Sequence, residues 1–184
     1  DHASHANFPL DGKPLSFFDF FSSGEVKAEE DKIRNDDFTE YEEGIYVGYR
    51  HFDKANLDVS YPFGYGLSYT SFGYDSLTIK VEGDTIHVDV LVRNTGDETG
   101  KEVVQLYVTP PESSVDRPVR ELKGFVKTNE LTPDESVHIQ LTIPITSLRF
   151  WDENNSGWSL TTGTYGIEIA TSSRDIRESG KIEL

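Results

Sequence analysis

From Tyr74 onward, apolar and polar residues alternate along the chain in short runs. A period of two places successive side chains on opposite faces of a β-strand, so this pattern predicts strands rather than helices. In the run "TIHVDVLVRN" the apolar face is formed by Ile86, Val88, Val90 and Val92, which we expect in a hydrophobic core. The other runs with this rhythm are "YDSLTIKV", "KEVVQLYVTP", "RELKGFVKT", "SVHIQLTIP", "LRFWD", "GTYGIEIAT" and "GKIEL".

Turn signals separate these runs. The first two flank "EGD" at residues 82–84, a short hairpin-type turn, and the third ends at Pro110-Pro111, which cannot continue a ladder of hydrogen bonds. Seven or eight short strands with no helical stretch between them predict an all-β fold. We expect an antiparallel β-sandwich of the immunoglobulin or fibronectin type III kind, at residues 72–184.

Residues 1–71 are predicted to form a long, mostly irregular N-terminal extension. Only "EVKAEEDKIR", at residues 25–34, is compatible with a short helix. A segment of this length without its own core is either disordered or laid across another surface, and disordered segments contain few aromatic residues. We therefore interpret the extension as a strap, whose aromatic residues are Phe17, Phe18, Phe20, Phe21, Tyr41, Tyr46, Tyr49 and Phe52.

The stretch "YPFGYGLSYTSF", residues 61–72, joins the strap to the first strand, and we call it the elbow. Pro62 restricts the backbone, whereas Gly64 and Gly66 permit conformations that other residues avoid, so the chain can turn sharply here. We expect the elbow to make interdomain contacts or to line the mouth of a substrate or ligand site. The residues concerned are Tyr61, Phe63, Tyr65 and Tyr69, with Phe72 adding to the junction.

Composition and charge exclude several functions. The chain has 33 acidic and 17 basic residues, a formal net charge of −16, so we expect neither a nucleic acid nor a membrane partner. With no cysteine, disulfides and thiolate chemistry are excluded. The first residues, "DHASHANFPL", do not form a signal peptide, and the chain contains no methionine, so we interpret it as a piece of a longer protein.

The sequence offers weak evidence for metal sites. "DENNSG", at residues 152–157, copies the start of a calcium loop, but Gly163 stands where the bidentate glutamate is required. A β-hairpin turn explains this stretch better, because its residues tolerate positive φ. The histidines do not form a set with metal-ligand spacing, so we expect no metal ion and no cofactor; they are His2, His5, His51, His87 and His138.

Two further features have alternative interpretations. Trp151 and Trp158 flank the predicted hairpin turn and would form either a sugar-stacking pair or part of the sandwich core, and the core is the favoured interpretation. Near the end of the chain, Arg174 and Arg177 are expected to form surface ion pairs with neighbouring acids rather than a carboxylate-binding clamp.

Ordered motifs from Tyr41 to the C-terminus resemble the C-terminal end of glycoside hydrolase family 3 enzymes of the β-glucosidase type. They are "YEEGIYVGYRHFDK", "SYPFGYGLSYTSFGYDSLTI", "VRNTGDETGKEVVQLYV", "RPVRELKGFVKTNELTPDES" and "RFWDENNSGWSLTTGTYGIEIATSSRDIR". The resemblance implies a fibronectin type III-like domain preceded by a strap, which normally packs on a middle α/β domain absent from this chain. It also implies a periplasmic or extracellular location.

The same resemblance implies that catalysis takes place outside this chain. In such enzymes the nucleophilic aspartate lies in an N-terminal barrel, in a Ser-Asp-Trp-like setting, and the acid/base glutamate lies in the middle domain. No Ser-Asp-Trp occurs here, so no catalytic residue is assigned. We expect a non-catalytic, stabilising domain of a retaining β-glucosidase-like hydrolase, with the enzyme's other domains as partners. The alternative is a carbohydrate-binding β-sandwich module that contacts glycan.

Overall fold

A computed structural model describes residues 43–184 of the chain. The predicted helix at residues 25–34, His2, His5 and the aromatic residues up to Tyr41 lie outside the described residues. Within them, one short helix precedes nine strands. The helix is α1 (Tyr49–Lys54), and the strands are β1 (Phe72–Glu82), β2 (Thr85–Asn94), β3 (Val103–Thr109), β4 (Glu121–Lys127), β5 (Ser136–Pro144), β6 (Phe150–Asp152), β7 (Gly157–Ser159), β8 (Thr164–Ser172) and β9 (Asp175–Glu183).

The strands form two packed sheets and one small hairpin. A three-stranded sheet has the order β1-β2-β5, and a four-stranded sheet has the order β4-β3-β8-β9. All neighbouring strands are antiparallel, and β6 pairs only with β7. The predicted all-β sandwich is therefore confirmed. None of the helices among residues 43–184 has the length and apolar character needed to cross a bilayer.

The core lies between the inner faces of the two sheets. The predicted core positions of β2, Ile86, Val88, Val90 and Val92, are all buried, and Val104, Leu106 and Val108 of β3 face them from the opposite sheet. The β1–β2 turn contains Gly83 at φ 57°, a conformation that a two-residue hairpin loop requires at its first position. Alternation in the sequence therefore identified both the strands and the faces they bury.

The last strand is longer than the sequence pattern indicates. "GKIEL" predicts a strand over residues 180–184, whereas β9 begins at Asp175 and pairs with β8 along most of its length. The β8–β9 turn therefore lies at Ser173 and Arg174, at the end of the four-stranded sheet where β8 ends and β9 begins. This placement brings both turn residues beside the strap.

Candidate functional site

The elbow presents its predicted contact residues to solvent. Tyr69 is 99% exposed, Leu67 is 89% exposed, and Tyr61, Phe63 and Tyr65 are also exposed. Phe72, where β1 begins, is by contrast buried in the core. The assignment of these side chains to an interdomain or substrate-mouth contact stays a prediction. Leu67 is a further exposed apolar residue of this surface, and the prediction, which named only aromatic residues, did not include it.

A tight turn fixes the first part of the elbow. The N–H of Tyr65 donates to the carbonyl of Pro62 at 3.0 Å, and Gly64, at φ 81°, occupies the position that a type II turn reserves for glycine. The turn lies against the end of the four-stranded sheet, where the N–H of Ser173 donates to the carbonyl of Phe63 at 2.8 Å. The exposed aromatic residues therefore project from a backbone that is hydrogen-bonded to the sandwich.

Gln105 connects this turn with the outer face of the sheet. Its Nε2 donates to the carbonyls of Thr171, at 2.6 Å, and Gly64, at 3.3 Å, while its Oε1 accepts a hydrogen bond from Tyr107 Oη at 2.7 Å. Both Gln105 and Tyr107 are buried, although alternation places them on the face away from the core. Burial raises the pKa of the Tyr107 hydroxyl. The strap therefore covers a sheet face that would otherwise be exposed.

Aromatic contacts continue this cover. The ring of Phe63 stacks on Tyr49 of α1 with centroids 5.1 Å apart, and Tyr49 meets Tyr107 edge-on at 5.8 Å. Such pairs are each worth about 0.5–1.5 kcal/mol beyond the area they bury. The hydroxyl of Tyr49 also accepts a hydrogen bond from the N–H of Leu122 in β4, at 2.9 Å. Helix α1 is thus held on the sheet from two sides.

Charged side chains complete the attachment of α1. Asp53 Oδ1 lies 3.2 Å from Arg174 Nε, and its Oδ2 lies 3.8 Å from Arg120 Nε, while Arg120 pairs with Glu168 at 3.0 Å. Arg174 Nη2 also donates to the carbonyl of Leu57 at 2.6 Å. The expectation for Arg174 was therefore wrong, because it binds the strap rather than a neighbouring acid.

The expectation for Arg177 holds, since this side chain forms an exposed pair with Asp175 at 2.7 Å. The hydrogen bond from Thr171, supported by Arg177, lowers the pKa of the Asp175 carboxyl. At the last residue of α1, Lys54 Nζ lies 2.5 Å from Asp116 Oδ1, and this contact lowers the pKa of Asp116. Both pairs are solvent-exposed and contribute little stability.

Asn94 joins the second half of the elbow to the sandwich. Its Oδ1 accepts hydrogen bonds from Thr70 Oγ1, at 2.6 Å, and the N–H of Gly96, at 3.1 Å. Its Nδ2 donates to the carbonyls of Glu98, at 2.7 Å, and Leu131, at 2.8 Å. The side chain is fully buried, so these four bonds satisfy a polar group that would otherwise be costly.

Two depressions on the described surface contain acidic residues. One, of about 210 Å³, lies between the strap and the sheet and includes Asp53, which is engaged by Arg174. The other, of about 320 Å³, lies on the outer face of the three-stranded sheet and includes Glu82 and Asp89. Asp89 lies 2.7 Å from His138 Nδ1, and this contact lowers the pKa of its carboxyl.

Glycoside hydrolysis needs two carboxyl groups that face each other across the substrate, about 5 to 10 Å apart. In neither depression of residues 43–184 do two unengaged carboxylates face each other in this way. His87 and His138 are exposed on the outer face of their sheet, as the alternation predicts. No group of three potential metal-ligating side chains is found within residues 43–184.

The tryptophan pair lies outside the core, contrary to the favoured interpretation. Trp151 and Trp158 are 52% and 66% exposed, and their rings meet edge-to-face at 5.8 Å across the β6–β7 hairpin. Leu148 and Tyr165, which flank the hairpin, fill the core instead. The predicted turn is confirmed at residues 153–156, where Ser156 has φ 49° and Asp152 accepts a hydrogen bond from the N–H of Asn154.

Comparison with known proteins identifies relatives of this arrangement. Residues 102–173 match the model of the fibronectin type III-like domain. The chain is 41% identical over 172 residues to the β-glucosidase BoGH3A of Bacteroides ovatus, covering 91% of this chain and 22% of that protein. It is 43% identical over 146 residues to the probable β-glucosidase K of Emericella nidulans, covering 78% of this chain and 17% of that protein.

A solved structure agrees with these relatives. β-Glucosidase 3B of Thermotoga neapolitana, in complex with α-D-glucose, superposes with a TM-score of 0.75 at 41% identity. The match covers 79% of this chain and 20% of that one, so the chain spans about a fifth of the length of its relatives. Residues 102–173 are therefore a fibronectin type III-like domain, and the chain is related to β-glucosidases of glycoside hydrolase family 3 through a partial stretch of their sequence.

Proposed function

We propose that this chain is a non-catalytic accessory and stabilising domain of a β-glucosidase-like glycoside hydrolase. The elbow docks the sandwich on the remaining domains of the parent enzyme. The parent hydrolyses terminal β-glucosides by a retaining mechanism, and its catalytic residues lie outside this chain. Relatives named as β-glucosidases, of which the chain spans about a fifth, support this proposal.

One observation carries the proposal. The elbow is hydrogen-bonded to the sandwich at both of its ends, whereas the apolar side chains between them are exposed to solvent. Hydrogen bonds at Phe63 and Gly64 fix the first half, and Thr70 fixes the second half through Asn94. Between them, Tyr65, Leu67 and Tyr69 extend into solvent. Exposed apolar clusters of this kind are typical of interaction sites rather than of free surfaces.

Energetics favour a docking role over a loose tether. Each large side chain of the elbow gains on the order of 1.5 to 3 kcal/mol if it becomes fully covered. Because the strap helix and the elbow are already ordered against the sandwich, docking does not require ordering this segment anew, which reduces the entropic cost of association. A fixed elbow also sets one orientation of the sandwich on its partner.

A chimera tests the docking role. The stretch of Thermotoga neapolitana β-glucosidase 3B that matches this chain is replaced by residues 43–184, and the Tm is measured with and without Tyr65→Ser and Tyr69→Ser. These substitutions should leave the Tm of the free chain nearly unchanged, because both side chains are already exposed, but lower the Tm of the chimera by several degrees. Phe125→Ser, an exposed aromatic residue on β4, is the matched control and should have no effect in either protein.

A Tm of the chimera that does not respond to the elbow substitutions overturns the docking role. The non-catalytic role is tested separately by incubating the purified 184-residue chain with an aryl β-glucoside. We expect no turnover. Turnover that survives further purification and is absent from a mock preparation refutes this part of the proposal.

A further inference from the structure

The tryptophan pair occupies a hairpin that is separate from both main sheets. Strands β6 and β7 have three residues each, and Trp151 stands directly opposite Trp158 in the pairing. The cross-strand contact stabilises the hairpin, as aromatic pairs do. More than half of the surface of each tryptophan remains exposed to solvent, so the contact between the two rings leaves most of their area available to a ligand.

Neighbouring residues also hold the hairpin, in addition to the contact between the indoles. Arg117 lies over the ring of Phe150, 5.6 Å from its centroid, and donates to the carbonyl of Leu148, which is buried in the core. At the tip, Asp152 accepts a hydrogen bond from Asn155 Nδ2 at 2.6 Å. The hairpin that carries the indoles is therefore attached to the sandwich by contacts that do not involve them.

This surface is distant from the elbow. The hairpin precedes Thr164, the first residue of β8, whereas the elbow is bonded to Ser173, just after the last residue of that strand. A strand of nine residues spans about 30 Å at roughly 3.3 Å per residue. A partner that covers the elbow therefore does not by itself explain the exposed pair.

The size of the patch distinguishes between occupants. Two tryptophans at these exposures offer on the order of 300 Å² of apolar surface. A stable protein interface takes about 800 Å² from each partner, and the residues at the tip, Glu153 and Asn154, are polar and exposed. The patch is too small for a protein interface but matches one or two sugar rings.

We infer that Trp151 and Trp158 form a binding site for a neutral, β-linked glucan chain. The hydroxyls of β-glucose are equatorial, so both faces of its ring expose C–H groups that can stack on an indole. One indole provides the stacking face and the edge of the other provides a wall. Asp152 and Glu153 lie beside the pair, and the net charge of the chain is −16, so anionic glycans are disfavoured.

Intrinsic fluorescence reports on this site alone, because these are the two tryptophans of the chain. We propose to titrate the 184-residue chain with cellohexaose and with an oligogalacturonate, exciting tryptophan selectively. Cellohexaose should change the emission saturably and shift both indole N–H resonances in an NMR spectrum, and the oligogalacturonate should do neither. The absence of saturable shifts with cellohexaose overturns the inference even if no variant folds.

Variants provide the second test, with calorimetry as the readout. Trp158→Ala and Trp151→Ala should each weaken cellohexaose binding by at least about tenfold. Phe125→Ala, which removes an equally exposed aromatic residue from β4, should leave the binding unchanged. Equal loss in the Phe125 variant, or undiminished binding in both tryptophan variants, overturns the site. This result is independent of elbow docking, because the free chain is measured.

Discussion

Asp53 Oδ1 and Arg174 Nε lie 3.2 Å apart, although 121 residues separate them in the sequence. The Asp53 side chain is 9% exposed and the Arg174 side chain is 31% exposed, so the carboxylate is the shielded member of the pair. Helix α1 has six residues, too few to be stable alone in water, and its position depends on such tertiary contacts. The pair therefore fastens the strap to the β8–β9 turn.

Asp53→Asn tests this fastening. The substitution removes a charge that faces both Arg174 and Arg120, and we expect the free energy of unfolding to fall by about 1–2 kcal/mol. Chemical denaturation monitored by circular dichroism measures the change. Asp58→Asn is the control, since Asp58 is exposed on the same segment and should be neutral. Equal stability of the two variants contradicts the role given to Asp53.

Two glycines of the elbow should respond differently to alanine. Gly64 has φ 81°, and a Cβ there would collide with Nε2 of Gln105, whose amide is buried and hydrogen-bonded. Gly64→Ala should therefore cost about 1–3 kcal/mol. Gly66→Ala meets no atom within 4 Å and should change the stability by less than about 0.5 kcal/mol. Similar unfolding midpoints for both variants would refute the tight turn.

The sandwich could be predicted because its signal is local. Alternation along β2 specifies which residues face the core, and Gly83 marks the turn that follows β1, so both are visible within ten residues of sequence. Alternation also places Tyr107 on the outer face of its sheet, where a side chain is normally exposed. Tyr107 is instead buried, because Tyr49 of α1 packs against it. Tertiary cover of this kind leaves no periodic signal.

The attachment of the strap could not be predicted for the same reason. Asp53 and Arg174 are distant in sequence, and each had a plausible local partner or solvent exposure instead. The position of Trp158 was misjudged because large aromatic residues near strand ends usually fill cores, whereas here Leu148 and Tyr165 already occupy that space. Sequence spacing does not show when a core is full.

Asn94→Ala should break the hydrogen bonds by which the Asn94 side chain joins the elbow to the neighbouring loops. The substitution removes four hydrogen bonds and leaves the carbonyls of Glu98 and Leu131 without this donor. Because the site is fully buried, we expect a loss of about 3 kcal/mol or more, measured by denaturation. Asn129→Ala, an exposed asparagine, serves as the control and should be neutral. Faster amide exchange at Gly96 would locate the effect.

Tyr74→Phe should stabilise the protein, most clearly at alkaline pH. The Tyr74 hydroxyl is buried and has no hydrogen-bond partner among the described residues, so its removal should leave the neutral-pH stability unchanged or raise it by about 1 kcal/mol. Tyr107→Phe is the matched comparison, because that hydroxyl donates to Gln105 and its loss should cost about 1 kcal/mol.

The pH dependence follows from the direction of the shift at Tyr74. Burial, followed by the charge of Glu102, raises the pKa of its hydroxyl in the folded state, whereas in the unfolded chain it ionises near pH 10. Below about pH 10 the hydroxyl is neutral in both states and the free energy of unfolding does not depend on its ionisation. As the pH rises from there toward the folded-state pKa, the unfolded chain ionises first, so the free energy of unfolding falls. Denaturation curves at neutral pH and above pH 10 should show a smaller alkaline loss for Tyr74→Phe than for the wild-type chain. An identical loss in both would mean that the unfolding at high pH comes from other groups.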